Sequence, residues 1–99
     1  MRITQHQRLA IVASVSELFG ADATVRLFGS RADDTARGGD IDLYIETPCL
    51  EANKADKASK LVARIGYKLG DLLPIDVVVQ DQATPLQRIH LEGKQGVLL

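Results

Sequence analysis

The segment Asp40-Ile41-Asp42-Leu43-Tyr44-Ile45-Glu46 alternates cleanly. Ile41, Leu43 and Ile45 point one way, while Asp40, Asp42 and Tyr44 point the other. Successive strand side chains face opposite sides of a sheet, so this is a strand with one aliphatic face and one acidic face. The apolar face needs helices or another sheet to cover it. The acidic face projects two carboxylates together, their Cβ atoms roughly 6–7 Å apart at the rise of a strand.

The flanking segments supply that cover. Thr4 and Gln7 have capping-box spacing, which predicts a helix starting near residue 5. Ile11, Val12, Val15, Leu18 and Phe19 form its stripe, and Gly20 is placed to end it. Thr24 to Phe28 reads as a short strand running into Gly29-Ser30, and Arg31 to Gly39 as a helical turn followed by a loop. Thr47-Pro48 has the pattern of an N-cap followed by a first-turn proline, opening a helix with Ala58, Leu61, Val62, Ile65, Leu69 and Leu72 on its buried stripe. Lys54, Asp56, Lys57 and Lys60 fall on its solvated face. Pro74 precedes a third strand, Ile75 to Val79. Thr84-Pro85 repeats the cap-and-proline signal for a last helix carrying Leu86, Ile89 and His90, with Gly93 placed to close it. Val97-Leu98-Leu99 reads as a terminal strand or a docking segment. The expected class is α/β (α+β), a small mixed sheet of three or four strands flanked by helices, with residues 1–99 as a single domain.

Composition narrows what such a fold is for. A formal net charge of -1 gives no basic footprint for nucleic acid, and four aromatic residues offer few platforms for stacking bases. Nucleic acid and membrane are therefore not expected partners, since no segment approaches the ~20 apolar residues of a span. The apolar run from Leu9 to Val15 continues at helical spacing and reads as a packed helix rather than a leader. The lone Cys49 neither forms an internal disulfide nor has a basic neighbour to activate it. His6 and His90 read as helix-surface or interface residues. A cytoplasmic location is expected.

Three features carry chemistry. Asp40 and Asp42 repel each other unless a cation lies between them, and Mg²⁺ is the natural occupant for hard oxygen ligands beside phosphate. Gly29-Ser30 ends a strand where the chain turns toward a helix, so its backbone can approach a phosphate closely, and Arg31 either neutralises that phosphate or pairs with a carboxylate. Asp76 interrupts an aliphatic strand and must point to the opposite face from Ile75 and Val77. Beside Asp40 and Asp42 it completes a three-carboxylate cluster able to hold a second metal and accept a proton from an attacking hydroxyl.

Phe28-Gly29-Ser30-Arg31-Ala32, an intervening loop, and Gly39-Asp40-Ile41-Asp42-Leu43 together resemble the signature of the DNA polymerase beta-like nucleotidyltransferases. Within that superfamily the chain is similar to the minimal nucleotidyltransferases (MNT), many of them antitoxins of HEPN/MNT toxin–antitoxin modules. The resemblance implies that Gly29, Ser30 and Arg31 contact a nucleoside triphosphate and that Asp40, Asp42 and Asp76 hold two Mg²⁺ ions. Asp76 is then also the base. It implies transfer of AMP from ATP to a hydroxyl, with pyrophosphate released, the acceptor being a tyrosine of a cognate HEPN toxin. One departure stands out: many relatives carry an arginine and a glycine where this chain has Asp33-Asp34. These carboxylates either oppose the triphosphate or cap the short helix, and Arg37 can restore positive charge from the same loop.

The expected function is therefore a Mg²⁺-dependent protein adenylyltransferase acting as antitoxin. The alternatives are a non-catalytic antitoxin that occludes its toxin, or nucleotidyl transfer to a small molecule or RNA. Homo- or hetero-oligomers are compatible with each.

Overall fold

The computed structural model describes residues 3–29, 40–48, 53–70, 73–81 and 88–99. The elements are α1 (Gln5–Phe19), β1 (Thr24–Phe28), β2 (Ile41–Glu46), α2 (Lys54–Leu69), β3 (Ile75–Gln80), α3 (Arg88–Lys94) and β4 (Val97–Leu98). The strands form one mixed sheet in the order β3-β2-β1-β4, with β2 parallel to β3 and the other neighbours antiparallel.

Helix α1 begins as its sequence predicts. The Gln7 amide donates to Thr4 Oγ1 at 3.0 Å and the Thr4 amide donates to Gln7 Oε1 at 2.9 Å, satisfying two donors that a helix start leaves open. Gly20 ends it with φ 96°, its amide bonded to Ser16 O at 3.0 Å. The buried stripe differs from the expected one. Val12 is 38% exposed, while Ala10 and Ser14 turn inward with Ile11, Val15 and Phe19.

The core lies between the α1–α2 layer and one face of the sheet. Ile11, Val15 and Phe19 of α1 and Leu61 and Ile65 of α2 pack on the inward face of β1 and β2, where Leu27, Ile41, Leu43 and Ile45 are fully buried. The clean alternation of β2 thus works as predicted on its aliphatic side. Ile75, Val77 and Val79 of β3 join this cluster, which sends Asp76 to the other face. Lys68 Nζ meets Glu17 Oε1 at 2.6 Å and Arg64 lies 3.7 Å from the same oxygen, tying α2 to α1.

Two helix signals resolve differently. Thr47-Pro48 does not cap α2: the Thr47 amide donates to Gln80 O at 3.0 Å, extending the β2–β3 ladder, and Asn53 stands at the N-cap with φ 57°. Gly93 does not close α3, which runs on to Lys94. The predicted solvated face of α2 is only partly so. Asp56 and Lys60 form an exposed i,i+4 pair, but Lys54 reaches the buried Asp81 at 3.2 Å and Lys57 sits 5.7 Å over the Phe19 ring. The Thr84-Pro85 cap, Cys49, Leu72 and Leu86 lie outside the described residues. Val97-Leu98 is a terminal strand, paired with Leu27 and Arg26 of β1.

Helix α3 covers the opposite face of the sheet. A Cβ at Gly93 would lie 2.5 Å from Tyr44 Cδ1 and 2.7 Å from Tyr44 Cβ, so only glycine lets the helix backbone rest on that ring. Tyr44 is fully buried there. Among the described residues no helix is long and apolar enough to cross a membrane.

Candidate active site

The strand registers arrange the α3 face of the sheet in cross-strand rows. Phe28 stands opposite Asp42, and Asp42 opposite Asp76. In the next row Arg26 stands opposite Tyr44, and Tyr44 opposite Val78. Helix α3 seals the second row and leaves the first at the open end of the sheet. Tyr44 therefore shares the aspartate face, as expected, but forms the floor under α3.

Adjacent strands lie about 4.8 Å apart, so Asp42 and Asp76 face each other across one inter-strand spacing. Asp40 precedes β2 at the exposed end, where the Ile41 amide donates to Pro74 O at 2.8 Å and locks the start of β2 to the residue before β3. That bond brings Asp40 within hydrogen-bonding reach of Asp76. The three aspartates singled out from the sequence thus converge.

Their titration reflects that crowding. The Asp42 carboxyl is pushed above its ordinary range first by burial, then by the charges of Asp76 and Asp40. Asp76 is also pushed up, chiefly because it shares a hydrogen bond with Asp40, then by burial and by the charge of Asp40. Among the described residues no group of three or more histidine, cysteine or acidic side chains is closed to metal-ligand geometry. The donor set nevertheless fits a hard divalent cation: oxygen ligands only, mutually repelling.

Gly29 completes the described part of the site. Its φ is 73°, and a Cβ there would run into the Asp42 carboxylate, 3.2 Å from Cγ and closer still to Oδ2. The glycine is thus required twice, by backbone conformation and by the carboxylate packed against it. Ser30, Arg31, Asp33, Asp34 and Arg37 lie outside the described residues.

A cleft of about 600 Å³ opens between this row and α3, with Gly29, Asp42 and Asp76 on the sheet side and Ile89, Glu92 and Gln95 on the helix side. The α3 residues were missed from the sequence as site residues. The spacing of three between Ile89 and Glu92 is the signal that puts those two on one helical face, with Gln95 in the turn just beyond it.

A glycine at the end of β1, three convergent carboxylates and a cleft on a mixed sheet agree with one comparison. The model of the nucleotidyltransferase domain family matches residues 10–95. The chain belongs to that family. No curated protein and no solved structure matches it. The four-stranded sheet flanked by helices is consistent with the nucleotidyltransferase fold. Membership supports nucleotidyl transfer as the reaction class, in a family that generally uses a nucleoside triphosphate and a divalent metal.

Proposed function

We propose that this nucleotidyltransferase domain transfers AMP from ATP to a hydroxyl of a partner protein, a tyrosine of a HEPN-type toxin, and acts as its antitoxin. One observation carries the catalytic part: Asp42 opposes Asp76 in the β2–β3 register, with Asp40 just before β2 on the same face, beside Gly29 at the mouth of the cleft. The protein acceptor rests on the resemblance of the Gly29-to-Asp42 segment to minimal nucleotidyltransferases.

Asp40, Asp42 and Asp76 would hold Mg²⁺. Bound there, the metal supplies charge neutralisation for the phosphate oxygens of an in-line displacement. Gly29 and Ser30 present backbone and hydroxyl donors to the triphosphate, and Arg31 adds charge. Asp76 takes the proton of the acceptor hydroxyl, a role suited to a carboxyl whose pKa is pushed upward. The acceptor oxygen bonds to the α-phosphorus as the bond to the bridging oxygen breaks, and pyrophosphate leaves.

The test is to mix the domain with its neighbour-encoded partner, α-labelled ATP and Mg²⁺. Label should pass to the partner with the wild type and with Glu46→Ala, and be lost with Asp42→Ala. Equal labelling by both variants would sink the assignment. Protection from the toxin by Asp40→Ala would favour occlusion instead.

A further inference from the structure

Helix α2 carries a distinct surface on the side away from the core. Leu61 and Ile65 are fully buried, so Lys60, Ala63, Arg64 and Tyr67, at the complementary helical spacing, form its exposed row. These four residues line a shallow depression of about 410 Å³. Tyr67 is 89% exposed, whereas Tyr44, the other tyrosine of the chain, is fully buried. The row is basic. Lys60 pairs with Asp56 at 3.0 Å, but Arg64 and Lys68 share the single carboxylate of Glu17, at 3.7 and 2.6 Å. Positive charge is therefore in excess beside the Tyr67 ring.

We propose that Tyr67 is an adenylylation site, modified in trans by the catalytic cleft of a second copy of this chain. The inference rests on the adenylyl transfer proposed above and adds an acceptor to it. Geometry requires the second copy. The aspartates lie on the α3 face of the sheet, whereas Tyr67 lies on the outer side of α2, beyond the sheet and about 10 Å of helix diameter. Charge brings the copies together. The described residues lining the cleft include Asp42 and Asp76 and no lysine or arginine. Two Mg²⁺ ions do not offset three aspartates and the charge of ATP, so the loaded cleft stays negative and attracts the basic row of another copy. There the Tyr67 hydroxyl oxygen bonds to the α-phosphorus of ATP and its proton passes to Asp76 of the copy that holds the nucleotide. The bond to the bridging oxygen breaks and pyrophosphate leaves. The new phosphodiester puts a negative charge on the basic row, so a modified copy docks less well and the reaction limits itself.

The test mixes size-tagged wild type, as donor, with one of two acceptors that lack a working site, Asp42→Ala or Asp42→Ala/Tyr67→Phe, in Mg²⁺ and α-labelled ATP. Label should reach the Asp42→Ala chain and fall about tenfold or more when Tyr67 is also replaced, since the nucleophile is gone. Tyr67 is exposed, so the two acceptors should melt together. Adding Lys60→Gln and Arg64→Gln to the Asp42→Ala acceptor should slow its labelling about tenfold at low ionic strength, and the gap should close at about 1 M salt, where the screening length is about 3 Å. The inference is overturned if both acceptors are labelled equally, if neither is labelled, or if the charge variant is labelled at the Asp42→Ala rate at low salt. The neighbour-encoded partner separates this failure from that of the function. If the wild type labels that partner but not the Asp42→Ala chain, adenylyl transfer stands and Tyr67 alone fails, whereas label on neither overturns both.

Discussion

Asp42 and Asp76 occupy directly opposed positions in the parallel β2–β3 register, so two carboxylates face each other across a single inter-strand spacing. Such a pair is costly in the metal-free protein and useful once a cation lies between its members. Most of what can be tested about the site follows from that opposition.

Asp42→Asn should melt a few degrees above wild type in EDTA at neutral pH. Both carboxyls have folded-state pKa values above their ordinary ones, so the folded chain binds protons more readily than the unfolded chain. Stability from these groups is present below the unfolded pKa and lost as pH rises through the folded pKa. The gap between variant and wild type should therefore open on going from about pH 4 to pH 7. Parallel melting curves across that range would remove the repulsion from the account.

Mg²⁺ should raise the wild-type melting temperature and leave that of Asp42→Asn unmoved. At a hundred times its Kd, a ligand bound only to the folded state adds about 2.7 kcal/mol. Thermal scans against Mg²⁺ concentration measure this directly, and an equal shift in both proteins would place the ion elsewhere.

Gly29→Ala should cut nucleotidyl transfer about a hundredfold or more, since its new methyl displaces the Asp42 carboxylate from its position. The left-handed backbone adds about 1–2 kcal/mol of strain. Steady-state kinetics beside a urea melt separate the two effects. A variant that is destabilised yet fully active would show that Asp42 tolerates the shift.

Gly93→Ala sets two effects against each other. Helix propensity favours alanine by about 1 kcal/mol. Overpacking against the buried Tyr44 ring costs about 1–3 kcal/mol, and packing should win because the ring has nowhere to move. The urea midpoint should fall with the m-value unchanged. A stabilised variant would mean that α3 does not rest on Tyr44.

Glu17→Gln should lower stability at neutral pH by an amount that vanishes in acid. The Glu17 carboxyl is held below its ordinary pKa, first by its hydrogen bond to Lys68 and also by Lys68 and Arg64 charge, against a smaller opposing effect of burial. A lowered folded pKa gives stability that is present above the unfolded pKa and lost as pH falls through the folded one. Because the group is exposed, added salt should shrink the difference. A salt-independent difference would point to packing instead.

Much of this was legible because it is local. The Thr4–Gln7 capping box, the strand periods of β2 and β3, and the outward turn of Asp76 each depend on residues within a few positions. The misread signals share a different cause. Thr47-Pro48 has the form of a helix cap, but a neighbouring strand offers the Thr47 amide a carbonyl at Gln80, and the ladder takes it. Gly93 has the form of a terminator, but its missing Cβ serves the approach of α3 to Tyr44. Val12 lies on the apolar stripe of α1, yet small Ala10 and Ser14 are the residues buried beside Ile11 and Val15.

The amino-acid order by itself determined that a strand would carry Asp40 and Asp42 on one face and a core on the other, and that Asp76 would oppose its aliphatic neighbours. Those results need only the period of an extended chain. Tertiary structure alone decided that β2 and β3 run parallel in the register that sets Asp76 against Asp42, and that α3 and the turn after it lay Ile89, Glu92 and Gln95 along the cleft. Register and helix seating depend on contacts between residues more than thirty positions apart, won by burying the β2 face and the Tyr44 ring, and no local pattern encodes that competition.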